Sequence, residues 1–171
     1  LRFLYDGSYE EFKDTLYRLG ETPLPRWVRK TVEPEDAERY QTIFAEKEGA
    51  VVAPTAGMHF SKHLLKWMEV KGIDRSFITL HAGLGNFRSV DVEDLSKHKV
   101  DSEQFFVTDQ TAEEINGAKR DGHKVVAIGT TVMRTLETVV STHGFIKPQS
   151  GWTNKFIFAP YDFTVADAMV S

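Results

Sequence analysis

Four polar segments hold most of the residues in this chain that could do chemistry. They are residues 53–60, 79–87, 98–103 and 129–134, and each lies at or beside the end of a predicted strand. Ligands of open α/β sheets bind at the carboxyl ends of the strands. These segments are therefore the predicted places of ligand contact.

The segment that begins at Gly129 has the clearest chemistry. A predicted strand leads into Gly129, and Thr130 and Thr131 then start a helix. The first turn of a helix presents unpaired N–H groups that suit an anion or a carboxylate. Arg134 follows about one turn later and could bind a carboxylate with two hydrogen bonds. An ordinary helix cap with a solvated Arg134 is the alternative, and spacing alone does not decide between them.

Two histidines at zinc-binding spacing do not make a metal site. His59 and His63 are four residues apart, as in a zinc-binding helix. The metalloprotease pattern needs Glu directly after the first histidine, and this chain has Phe60 there. Ser61 is a predicted helix cap, which places His59 outside the helix. We therefore predict no bound metal.

Other ionisable residues are candidates for proton transfer. His81 ends a predicted strand beside glycines, where it could contact a ligand or be a hydrogen-bonded buried imidazole. His98, Asp101 and Glu103 place three ionisable groups within six residues. Such crowding can adjust the pKa of a general acid or base, and a solvated loop is the alternative.

Composition excludes several classes of protein. The 171 residues contain no cysteine, which removes disulfides and thiol nucleophiles. Twenty-five acidic residues against 21 basic ones give a net charge of −4, which disfavours a dedicated nucleic-acid binder. There is no apolar run of the roughly 20 residues that span a membrane. We predict a soluble, cytoplasmic protein.

Alternating helices and strands indicate the fold class. Strands separated by helices of ten to fifteen residues are typical of βαβ units, so we predict an α/β domain with three αβα layers and a largely parallel sheet. Predicted helices follow Ser8, Ser61 and Thr108 and cover residues 36–44 and 130–140; predicted strands cover residues 50–53, 77–80, 104–107, 124–128 and 155–158.

The motifs also match a known family in their order along the chain. They lie at residues 38–42, 53–60, 77–85, 98–103, 129–137, 150–153 and 156–163. From about Gly20 to the last residue, the chain resembles the S-adenosylmethionine:tRNA ribosyltransferase-isomerases of queuosine biosynthesis. In that family a β-barrel domain is inserted into an α/β domain. The resemblance implies that residues 1–5 are the exit strand of a barrel that is mostly missing here, and that residues 6–171 are part of the α/β catalytic domain.

Three departures from the family motifs leave the activity open to alternatives. Asp101 stands where the family's His-x-Met-His-x-Glu motif has its second histidine, and Asn86 stands where the family has threonine. Ala159-Pro160-Tyr161 stands where the family has Pro-Gly-Tyr. A proton role at this motif would then fall to His98, because Asp does not titrate near neutrality. A catalytically altered paralogue, or a module that only binds S-adenosylmethionine or RNA, is the alternative to the enzyme.

The resemblance implies a reaction and its substrates. The ribosyl unit of S-adenosylmethionine is transferred to 7-aminomethyl-7-deazaguanine in tRNA and isomerised to epoxyqueuosine, and adenine and methionine are released. We predict that a monomer does this without a metal. The tRNA would contact either the domains missing from this chain or a local basic patch such as Arg26, Arg29 and Lys30.

Each predicted site residue has a role in that reaction. Proton transfer is assigned to His59, His81 or His98, with Glu103 orienting one of them. Residues assigned to S-adenosylmethionine are Thr55, Gly83, Gly85, Gly129, Thr130, Thr131 and Arg134, among which Thr130, Thr131 and Arg134 anchor its carboxylate.

Overall fold

The computed structural model describes residues 3–25 and 27–171, which divide into two compact units, Leu1–Tyr40 and Gln41–Ser171. The predicted barrel exit strand falls partly on Leu1 and Arg2, which lie outside the described residues. Residues 3–5 have no regular secondary structure. The division at Tyr5 therefore stays a prediction.

The smaller unit contains two helices, α1 (Tyr9–Leu19) and α2 (Asp36–Arg39). The capping box predicted at the start of α1 is confirmed, because Ser8 Oγ accepts from the Glu11 N–H at 3.3 Å and Glu11 Oε2 accepts from the Ser8 N–H at 2.7 Å.

The second predicted helix is too long. It was expected to reach residue 44, but α2 ends at Arg39. Side chains beyond it bind the local backbone: Gln41 accepts from the Thr42 N–H at 2.8 Å, and Thr42 Oγ1 accepts from the Phe44 N–H at 3.3 Å. Such bonds compete with helical hydrogen bonding and favour a turn.

The larger unit combines two sheets and three helices. β1 (Thr79–Leu80), β2 (Glu103–Val107) and β4 (Gln149–Thr153) form an antiparallel sheet in the order β1-β2-β4. β3 (Val126–Ile128) and β5 (Ala168–Val170) form a parallel pair. The helices are α3 (Lys62–Val70), α4 (Asp109–Arg120) and α5 (Thr130–Val139), and short 3₁₀ turns cover Thr55–His59, Leu84–Phe87 and Leu95–Lys97.

The mixed α/β class is confirmed, but a largely parallel sheet is wrong for the described strands. Parallel pairing needs a crossover, usually a helix, between the strands. Residues 81–102 join β1 to β2 with only short 3₁₀ turns, and the two strands pair antiparallel. The strands predicted at residues 50–53 and 155–158 are irregular segments.

Side-chain alternation in β2 determines which of its residues pack toward α5. Glu103, Phe105 and Val107 are buried on one face of the strand, and Phe105 and Val107 join the hydrophobic core. That core also contains Leu136 and Val139 of α5, which are three residues apart and share a helix face. The first residue on this core-facing side of β2 is therefore a carboxylate, Glu103.

Candidate active site

Glu103 and Arg134 form a buried ion pair between β2 and α5. The Glu103 side chain is 4% exposed and that of Arg134 is 16% exposed. Arg134 Nη2 lies 2.7 Å from Glu103 Oε2, but their orientation does not meet hydrogen-bond geometry. Charge rather than a directed hydrogen bond therefore holds this pair. Arg134 Nε and Nη2 are buried without a hydrogen-bond acceptor among the described residues.

The other oxygen of Glu103 holds the loop that follows β1. Glu103 Oε1 accepts from the Gly83 N–H at 2.8 Å and from Asn86 Nδ2 at 2.7 Å. Asn86 Nδ2 also donates to the Gly83 carbonyl at 3.1 Å. Glu103 thus joins two predicted S-adenosylmethionine contacts, Gly83 and Arg134. None of these partners is a histidine, so the predicted role of Glu103 in orienting one stays a prediction.

The start of α5 is open toward a ligand. Gly129 has φ of +101° and donates its N–H to the Val170 carbonyl at 2.8 Å, which aligns the helix start with β5. No side chain caps α5. Thr130 is exposed and Thr131 is half-buried. The first N–H groups of the helix lack intrahelical partners, as an anion site requires.

A second segment lies beside this helix start. A Cβ atom on Gly129 would lie 3.6 Å from Ala56 Cβ, in the turn Thr55–His59. Thr55 is exposed at the beginning of that turn. The structure therefore places the turn Thr55–His59 against Gly129. Contact of Thr55, Thr130 and Thr131 with S-adenosylmethionine stays a prediction.

Substitution of Gly129 by alanine is expected to destabilise the chain. A side chain at this positive φ costs about 1–2 kcal/mol of unfolding free energy, and the new Cβ would approach Thr131 Oγ1 to 3.3 Å. Denaturant unfolding measures the loss. Gly83→Ala is the control, since Gly83 has φ of −96° and its Cβ would meet only Glu103 Oε1, at 3.9 Å. Equal stability of the two variants would contradict this reading of Gly129.

The three candidate histidines occupy different surroundings. His59 is exposed at the end of its turn. His81 is half-buried, donates its backbone N–H to the Gln104 carbonyl at 2.9 Å and sets its ring edge-on to Phe106 at 6.0 Å. His98 is half-buried, with its ring 4.7 Å from that of Phe156. Within residues 3–25 and 27–171, no hydrogen bond joins any two of these histidines.

Asp101, which departs from the family motif, is engaged with the loop after β1. Asp101 Oδ1 lies 3.2 Å from Arg88 Nη1. A Cβ on Gly85 would lie 3.2 Å from Asp101 Oδ2, so glycine permits this close approach. Asp101 therefore binds the loop that carries the predicted ligand contact Gly85. Because both ends of the ion pair are well exposed, it adds little stability.

Sequence reasoning gave no role to Glu137, a buried carboxylate one turn after Arg134. Glu137 is 4% exposed. Its Oε1 accepts from the Thr164 and Val165 N–H groups at 2.9 and 3.1 Å, and its Oε2 accepts from the Tyr161 hydroxyl at 3.0 Å. The helical spacing to Arg134 was the available signal, because residues i and i+3 share one helix face.

Of the predicted tRNA contacts, Arg26 lies outside the described residues. Arg29 and Lys30 are exposed. Lys30 Nζ contacts Asp36 Oδ1 at 2.7 Å and Glu33 Oε2 at 3.1 Å. These two bonds raise the pKa of Lys30, with the Asp36 bond contributing most. Lys30 is therefore already engaged with carboxylates.

Metal clusters and membrane-spanning helices are both absent from the described parts of the chain. Among residues 3–25 and 27–171, no group of three or more His, Asp or Glu side chains is arranged to hold a metal ion. No helix in those ranges has the length and apolar character needed to cross a lipid bilayer.

The site lies in a mixed α/β domain and combines a helix start without a side-chain cap with a buried ion pair one turn behind it. The chain belongs to the queuosine biosynthesis protein family, which it matches over residues 1–171.

Relatives called S-adenosylmethionine:tRNA ribosyltransferase-isomerase match the whole chain. Those of Phocaeicola vulgatus, Bacteroides fragilis and Acetivibrio thermocellus are 64%, 65% and 44% identical to it. In each case the match covers 100% of this chain and 49% of the relative. The chain thus spans about half the length of the curated relatives it matches.

Proposed function

We propose that this chain carries part of the active site of an S-adenosylmethionine:tRNA ribosyltransferase-isomerase. The reaction transfers the ribosyl unit of S-adenosylmethionine to 7-aminomethyl-7-deazaguanine in tRNA and rearranges it to epoxyqueuosine. The observation that carries the proposal is the buried Glu103–Arg134 pair one turn behind the open start of α5. Relatives of that name match this chain over its whole length, which supports the proposal.

The methionine carboxylate of S-adenosylmethionine is assigned to the start of α5. The free N–H groups and the hydroxyls of Thr130 and Thr131 offer donors, and Arg134 has a buried Nε without an acceptor beside the Nη2 that is paired with Glu103. Glu103 holds Arg134 from one side and the Gly83 N–H from the other. A carboxylate bound here would complete the hydrogen bonding of the guanidinium.

Proton transfer is assigned to a histidine. The reaction needs a base at the carbon beside the sulfonium and an acid for the departing adenine. His59, His81 and His98 are the candidates. Their separate surroundings make them distinguishable by mutation.

The remaining parts of the proposal concern the complete protein. We assign residues 6–171 to an αβα catalytic domain and residues 1–5 to the exit from an inserted barrel. We also propose a cytoplasmic monomer that acts on tRNA without a metal.

The decisive experiment follows adenine release by the full-length protein. We expect adenine from S-adenosylmethionine only when tRNA carrying 7-aminomethyl-7-deazaguanine is present, and none with tRNA that has guanine at that position. Calorimetry of S-adenosylmethionine binding is run in parallel. Binding without adenine release would contradict the enzyme and favour a binding module, while release of S-adenosylhomocysteine would indicate a methyltransferase.

A further inference from the structure

Lys155 is a half-buried lysine just beyond the end of β4. Its Nζ lies 3.4 Å from the Tyr161 hydroxyl and 5.6 Å from the centre of the Tyr161 ring. No described carboxylate approaches this ammonium within ion-pair distance. An ammonium without an ion-pair partner keeps donors that a bound anion could accept.

Tyr161 and Glu137 fix the position of this ammonium. The Tyr161 hydroxyl donates to Glu137 Oε2 at 3.0 Å while it accepts from Lys155. Burial, and then the hydrogen bond to Glu137, raise the pKa of Tyr161, so the hydroxyl keeps the proton that it donates. Glu137 is itself held by the N–H groups of Thr164 and Val165.

Lys155 lies at the same end of the sheet as Glu103. Its N–H donates to Thr153 Oγ1 at 3.2 Å, and Thr153 is paired with Glu103 in the register of β2 and β4. Thr153 Oγ1 is also 2.7 Å from Thr138 Oγ1, which lies one helical turn after Arg134. Short contacts therefore connect Lys155 to the elements that carry the Glu103–Arg134 pair.

We propose that Lys155 is an anion-binding residue of this active site and that Tyr161 and Glu137 are its positioning residues. The proposal rests on the proposed function. The anion is a phosphate of the tRNA backbone, because the one carboxylate of S-adenosylmethionine is assigned to the start of α5. An ammonium held by one hydroxyl has donors left for a phosphate.

The first test replaces Lys155 with glutamine in the full-length protein. Loss of a charge-assisted hydrogen bond is expected to raise the KM for tRNA about tenfold, with kcat within about twofold of wild type. A higher KM for S-adenosylmethionine alone would overturn the phosphate assignment. Lys147→Gln is the control, because Lys147 is an exposed lysine. Unchanged values of both KM in K155Q would overturn the proposal.

The second test separates positioning from general stability. Tyr161→Phe removes the hydroxyl that joins Lys155 to Glu137, and we expect the KM for tRNA to rise severalfold. The double variant K155Q/Y161F should match K155Q, because both changes remove one interaction. Additive effects on KM would overturn the positioning role. If the wild-type protein releases no adenine, the proposed function fails, and the Kd values of K155Q for S-adenosylmethionine and tRNA still decide the role of Lys155.

Discussion

Replacement of Arg134 by alanine is expected to raise the KM for S-adenosylmethionine at least about tenfold. Nη2 of the guanidinium is paired with Glu103, while the buried Nε has no acceptor, and the substrate carboxylate is its proposed partner. A charge-assisted hydrogen bond contributes about 1.5–3 kcal/mol to binding, which corresponds to a tenfold or greater change. Steady-state kinetics at saturating tRNA measures the effect.

The same substitution is expected to destabilise the fold, because it leaves the Glu103 carboxylate buried without its cation. Removing one partner of a buried pair costs about 3–5 kcal/mol. Oε1 of Glu103 would retain the Gly83 N–H and the Asn86 amide, which places the expected loss near the lower end of that range.

The double variant E103Q/R134A separates binding from stability. Glutamine keeps an oxygen for the Gly83 N–H and removes the buried charge. We expect the double variant to recover part of the unfolding free energy that R134A loses, while the KM for S-adenosylmethionine stays high. An unchanged KM in R134A would eliminate the carboxylate anchor and leave Arg134 a structural partner of Glu103.

Local signals predicted the helices better than the sheets. Ser8, Ser61 and Thr108 cap α1, α3 and α4 as expected, because cap chemistry depends on residues within one turn. Strand pairing depends on distant partners. β4 was missed because its sequence, QSGWT, has few typical strand residues, and its pairing with β2 forms the strand.

The sequence predicted which segments contribute to the site but not which of their side chains contact one another. The sequence indicated Arg134 and Glu103 separately. Their pairing depends on two side-chain patterns. Alternation along β2 places Glu103 on the core face of the strand, and the helical repeat of α5 places Arg134 next to Glu103. Glu137 was missed because its partners lie 24 to 28 residues away, in a segment without regular structure.

Two of the three departures from the family motifs, Asp101 and Asn86, lie at one loop. Asp101 contacts Arg88 and lies against Gly85, and Asn86 donates to Glu103. Both departures therefore hold the segment between β1 and β2 rather than leaving gaps in it. This geometry favours a retained site over a degenerate one.

Substitution of His81 by alanine is expected to lower kcat about a hundredfold or more, the usual effect of losing a general acid or base. His81 has the most constrained ring of the three candidates. Phe106 contacts its edge, and Gly49, at φ of +139°, lies so close that a Cβ there would stand 2.7 Å from Nδ1. An imidazole held in this way has a fixed orientation, as proton transfer requires.

Comparison with His98→Ala decides which part of the sheet carries the proton chemistry. His81 contacts Phe106, whose side chain alternates away from the face of β2 that holds Glu103. His98 contacts Phe156, three residues beyond Thr153, the register partner of Glu103. Single-turnover adenine release is measured for both variants and for His59→Ala, and the exposed His143→Ala serves as the control. A large loss of kcat in H98A alone would place the acid or base at the end of the sheet that holds Glu103. His81 would then have only a packing role, because a histidine that only packs affects stability more than turnover.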